Sequence, residues 1–160
     1  MFNYELNLFK EIFKAILNEK NDKAEYLLHH YLENEPINGT ILLSDYLSTI
    51  KKEHEKSKKL LYKLILKNKY NIDLRLQYIK ILLNNKEYEK AIKWCQKSLH
   101  LAKKEEKTEI YYNLAKIFYY LNRPERSLRY ANLCLQMDQN FFPAKQLKKI
   151  IIKNLNYEPY

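Results

Sequence analysis

An all-α fold is what this sequence predicts, and three features predict it. The 160 residues include one Gly and four Pro, too few to supply the turns that hairpin-linked strands need. Leu, Ile, Lys and Glu abound while Val is absent, a balance that favours helix over strand. A helix–turn–helix pattern also recurs along the chain with a spacing of about 34 residues. The length suits one domain, 1–160, with room for a real core.

The elements can be justified in order. A first unit over 5–38 contains AEYLLHHYLENEP (24–36), and a second over 38–71 contains SKKLLYKLIL (57–66). The third, 72–107, runs from LRLQYIKILLNN (74–85) into KEYEKAIKWCQKSLHL (86–101). The fourth, 108–141, runs from IYYNLAKIFYYL (110–121) into RPERSLRYANLCLQMD (123–138). Laid beneath one another, the last two units pair small residues at Ala91/Ser127 and Ser98/Cys134. They pair apolar ones at Ile92/Leu128, Leu99/Leu135 and Leu101/Met137. Pro124 falls in a first helical turn, where its missing N–H does little harm. Residues 143–155, PAKQLKKIIIKNL, read as a terminal helix covering the last apolar face. Cys95 and Cys134 lie within apolar helical patterns and read as buried free thiols.

This pattern resembles the tetratricopeptide repeat (TPR). Tyr111, Leu114, Ala115, Phe118, Ser127 and Cys134 stand at the family's aromatic, leucine and small positions. Tyr88, Ala91 and Ser98 match in the third unit, and Ala24, Leu28 and Pro36 in the first. The second unit is loosest, with Asp45 and Leu64 where small residues belong. The resemblance implies a right-handed α-solenoid of antiparallel helix pairs, in which the first helix of each pair lines a concave groove. It also implies a protein or peptide segment, helical or extended, as the partner in that groove, with no cofactor and no catalysis.

Two tyrosine doublets, Tyr111-Tyr112 and Tyr119-Tyr120, fit that arrangement. Tyr111 and Phe118 form the packing stripe, and Tyr112 and Tyr119, one residue further round, turn toward the groove. Tyr120 lies on its rim. Carrying the groove positions back through the repeats adds Asn113 and Lys116, then Leu76 and Lys80, then Leu42 and Tyr46, then Phe9 and Phe13. Tyrosine suits such a wall because it joins a large contact area to a polar tip. The carboxylate clamp of chaperone-binding TPRs is missing, since its positions hold Phe9, Phe13, Leu43, Asp73 and Gln77.

Charge is unevenly spread. Residues 1–50 carry 4 Lys against 8 Asp and Glu, a balance of −4 within a total of +10. Residues 51–160 carry 25 Lys and Arg against 11 acids, or +14. Lysines cluster over 51–69 and arginines at Arg123, Arg126 and Arg129. An alternative reading is therefore an RNA- or polyanion-binding protein using a basic outer surface. A third is self-association through the exposed end of the stack. Excess Lys, Asn, Ile and Tyr also fits an AT-rich genome.

Catalytic and metal chemistry find no foothold. His29 and His30 are adjacent and diverge by about 100° on a helix, and His54 and His100 have no ligand-spaced partner. A single Gly excludes a glycine-rich phosphate loop. The apolar runs are shorter than the roughly 20 residues that span a bilayer. MFNYELNLFKEIFK has no signal-peptide layout, so the expectation is a cytoplasmic, non-enzymatic protein.

Overall fold

The computed structural model describes the backbone of residues 2–34 and 36–155, and the side chains of 8, 10–33 and 36–155. Nine helices occupy these residues and no strand does. They are α1 (Phe2–Leu17), α2 (Asn21–Asn34), α3 (Pro36–Thr49), α4 (His54–Lys67), α5 (Ile72–Asn84), α6 (Tyr88–Leu99), α7 (Lys107–Tyr120), α8 (Pro124–Met137) and α9 (Phe142–Leu155). The chain divides into two compact units, residues 1–67 and 68–160. None of the described helices is long and apolar enough to cross a membrane.

Each helix pair is closed by a turn of the kind that usually holds glycine, and none of the four does. Glu19, Lys52, Lys86 and Asn122 take left-handed backbones, with φ of 56°, 60°, 58° and 53°. At three of these turns the bonding is the same. The N–H of Lys20, Glu87 or Arg123 donates to the carbonyl five residues back, at Ala15, Leu82 or Phe118. The residue before it donates three back, to Ile16, Leu83 or Tyr119. This pair of bonds caps the orphan carbonyls of a helix end. The turn at Lys52 departs from that pattern. It is one residue longer, and the Glu53 N–H reaches back to Leu47.

In the first unit, α2 packs on α1 and α3, and α4 packs on α3. Its core gathers Ile12, Ala15, Ala24, Leu28, Leu43 and Leu47. The single glycine lies inside α3, where the backbone of α2 passes close by. A Cβ at Gly39 would come 2.4 Å from the Leu32 Cα and 2.7 Å from its N. Only glycine permits that approach.

In the second unit, α5 to α9 pack each on the next, and α7 also touches α5 and α9. One core holds Ile79, Leu82, Ala91, Cys95, Ile110, Leu114 and Ile117, and another joins Ala115 and Ala131 to Leu147 and Ile151 of α9. The small residues paired in the sequence, Ala91, Ser98, Ser127 and Cys134, are all fully buried. Filling any of them would overpack the helix crossing, at about 1–3 kcal/mol. Arg75 is buried as well. Its Nε and Nη2 both donate to the Lys69 carbonyl, at 3.0 and 2.7 Å, and its guanidinium lies 5.6 Å from the Trp94 ring centre. Both thiols are free, and burial pushes each up to about 12.

The same hydrogen bond recurs once in each unit. Ser127 Oγ on α8 donates to the Ala115 carbonyl on α7 at 2.7 Å. Ser57 Oγ on α4 donates to the Ser44 carbonyl on α3, also at 2.7 Å. Ser44 is thus the counterpart of Ala115, and the small residue expected at Asp45 stands one place earlier. The extra residue in the Lys52 turn accounts for the slip.

Candidate protein-interaction face

Helices α5 and α7 of the second unit carry most of the residues expected to line a groove. Leu76 is half-buried against the unit's core, and Lys80 is exposed one turn further along α5. On α7, Lys116 is half-buried, and its Nζ lies 4.8 Å from the Tyr112 ring centre. Burial pushes the Lys116 ammonium down from its usual value, with Lys80 adding to the effect and Glu109 opposing it. The geometry explains this: residues four apart stack on one helix face, so the lysine stem lies along an aromatic ring and loses hydration.

The tyrosines divide their work. Tyr112 is half-buried and meets the Phe141 ring edge-on, with centroids 5.3 Å apart; burial raises its phenol above the ordinary value. Tyr119 also packs on the α9 core, and its hydroxyl accepts from Asn154 Nδ2 at 3.4 Å. Tyr120 is 57% exposed, with its ring 5.9 Å from both Tyr88 and Tyr119. Tyr119, Tyr120 and Asn154 wall a cavity of about 360 Å³ beside Ile151. Asn113 is buried, with 7% exposure, and offers a partner almost nothing.

In the first unit, Phe13 is 52% exposed on α1, and Leu42 is half-buried against the α3 core. The Phe9 side chain lies outside the described residues. Tyr46 corrects the expectation. It is buried to 3% exposure, and its hydroxyl donates to the Asn21 carbonyl at 3.2 Å. With Ser44 matched to Ala115, Tyr46 corresponds to the fully buried Ile117, which makes it a packing residue. The counterparts of Tyr112 and Lys116 become Ile41 and Asp45, both half-exposed. The usable signal was the spacing of Ser44 and Ser57, thirteen residues, against twelve for Ala115 and Ser127. Phe141 and Asn154 were missed because nothing local in the sequence marks them as neighbours of α7.

Among the described residues, no group of three or more His, Cys, Asp or Glu gathers as a metal site would require. No sequence-family model matches the chain, and no curated protein does. Solved structures do match. A thermophilic TPR protein of Thermus thermophilus, TTC0263, superposes with a TM-score of 0.75 over 91% of this chain and 80% of its own, at 16% identity. This chain has the tetratricopeptide-repeat fold. Pseudomonas aeruginosa PilF matches at a TM-score of 0.73 and 15% identity, covering 94% of this chain and 68% of its own. A MamA protein matches at 0.60 and 20% identity, over 80% and 75%. The α5–α7 face lies on the first helices of the helix pairs in this fold.

Proposed function

We propose that the protein is a non-enzymatic adaptor that holds a helical or extended protein segment against α5 and α7. The observation that carries this reading is the α7 surface itself. Tyr112, Lys116 and Tyr120 follow one another at helical spacing on α7. Lys116 lies over the Tyr112 ring and within electrostatic reach of Lys80, and α5, which carries Leu76 and Lys80, packs on α7. Aromatic rings give a rigid contact area at low entropic cost, and a half-dehydrated ammonium rewards a carboxylate or backbone carbonyl brought to it. Helix-in-groove and extended-segment recognition both use such anchors.

The test is affinity capture with wild type and with Lys80→Glu/Tyr120→Ala, two exposed positions whose change spares the core. A protein captured by the wild type and lost from the variant, with unchanged thermal melts, supports the reading. Equal capture by both sinks it. Nuclease-sensitive recovery of nucleic acid by both would move the function to the basic outer surface.

A further inference from the structure

A second surface lies on the α8 side of α9, the opposite side from Tyr119 and Asn154. The buried edge of α9 is Ala144, Leu147 and Ile151. Next to it, Phe142, Lys145, Lys149 and Ile152 follow one another at helical spacing and so share a face. Together with Leu135 of α8 and with Lys148 at the margin, they line a cleft of about 360 Å³. Phe142 is 65% exposed and Ile152 39%. No carboxylate lines the cleft, and among the described residues none of the three lysines has an ion-pair partner.

We propose that this cleft docks an acidic amphipathic helix of a protein partner. Large apolar side chains of the partner enter between Phe142 and Ile152 and rest on Leu135. Carboxylates a turn away meet Lys145, Lys148 and Lys149. The charge fixes the partner's sign, because three ammonium groups around one apolar floor repel basic segments and concentrate acidic ones. The shape fixes its form. The row from Phe142 to Ile152 is about 15 Å long at 1.5 Å per residue, enough to cover the roughly 10 Å over which a docked helix presents apolar residues at i, i+3 and i+7. A flat bilayer would not reach Leu135, which is half-buried on α8 and lines the same cleft as Phe142 and Ile152 of α9. Single-stranded nucleic acid needs stacking rings, and the floor is two aliphatic chains and one ring.

This surface is independent of the α5–α7 face, and the experiment keeps the two apart. The probe is a fluorescein-labelled helical peptide of about 18 residues, roughly five turns, with Leu at i, i+3 and i+7 and Glu on the flanks. Fluorescence polarisation is read against its Glu→Gln analogue, alongside flotation with phosphatidylserine vesicles and binding of poly-uridine RNA. The wild type should bind the Glu peptide with an affinity that falls as salt rises. Lys145→Glu/Lys149→Glu, Ile152→Ser and the Gln analogue should each weaken binding by about tenfold or more, with circular dichroism confirming folded variants. Lys145→Gln/Lys149→Gln, a gentler change, should weaken it less but measurably. Lys80→Glu/Tyr120→Ala should bind the peptide as wild type does. The proposal falls if the Glu peptide does not bind, or if it binds all α9 variants equally. It also falls if vesicles or RNA bind through these residues and the peptide does not.

Discussion

The α3–α4 and α7–α8 hairpins are built on one contact and closed by different turns. In each, a serine at the start of the second helix donates to a carbonyl of the first at 2.7 Å. The turn in the second unit bonds back by five residues to Phe118, and that in the first by six, from Glu53 to Leu47. The loop therefore absorbs an inserted residue while the packed crossing stays fixed. Register in this chain is set by where two helices can approach, because buried crossings tolerate neither a void nor an added methylene.

The comparison can be broken most severely at the shared serines. Ser57→Leu and Ser127→Leu should each cost about 3 kcal/mol, combining overpacking with the loss of the hydrogen bond across the crossing, as measured by urea unfolding. Near-neutral behaviour at either site would end the equivalence. Gly39→Ala should cost about 1–3 kcal/mol, because its methyl would overlap the Leu32 backbone. Ser57→Ala and Ser127→Ala should each cost about 1 kcal/mol, the usual worth of one such hydrogen bond. A large inequality between them would show that the two bonds do different jobs.

A smaller contrast follows from the thiols, which both belong to the second unit. Their folded values near 12 lie above the ordinary value of 9.0, so the unfolded chain releases these protons first. Stability from this source is complete below pH 9 and declines as pH climbs toward 12. Cys95→Ala/Cys134→Ala should flatten the alkaline loss relative to wild type. In the native protein at about pH 8, below the ordinary thiol value, iodoacetamide should label neither thiol. Smallest of all, Lys86→Gly and Asn122→Gly should each raise stability by up to about 1 kcal/mol by relieving left-handed backbone. A fall in melting temperature at either site would argue that its side chain makes a contact worth more than the strain.

Much of the fold was legible because its signals are local. Ala91, Ser98, Ser127 and Cys134 recur at fixed spacing and are all buried, and Pro124 opens α8. On α5 and α7, where the turn has its usual length, the repeat register leaves Leu76, Lys80, Lys116 and Tyr120 half-buried or exposed, as a face requires, but buries Asn113. It was not legible in α3, where one inserted turn residue moved Tyr46 inward; a slip of one position rotates a helix by about 100°. The packing of Tyr112 on Phe141 and of Tyr119 on Asn154 was hidden for a different reason. It depends on how α9 meets α7, and no periodicity encodes that meeting.

The left-handed turn residues have a consequence for how such a chain can change over time. Lys and Asn are written with A- and T-rich codons, whereas every glycine codon begins with a pair of guanines. Under strong AT pressure, a turn that would ordinarily fix glycine can drift to Lys, Asn or Glu and still close, at a tolerable conformational penalty. Gly39 had no such freedom, since its neighbour is a backbone that cannot step aside. The single glycine therefore sits where a Cβ has no room, while the four left-handed turns close with Glu, Lys or Asn.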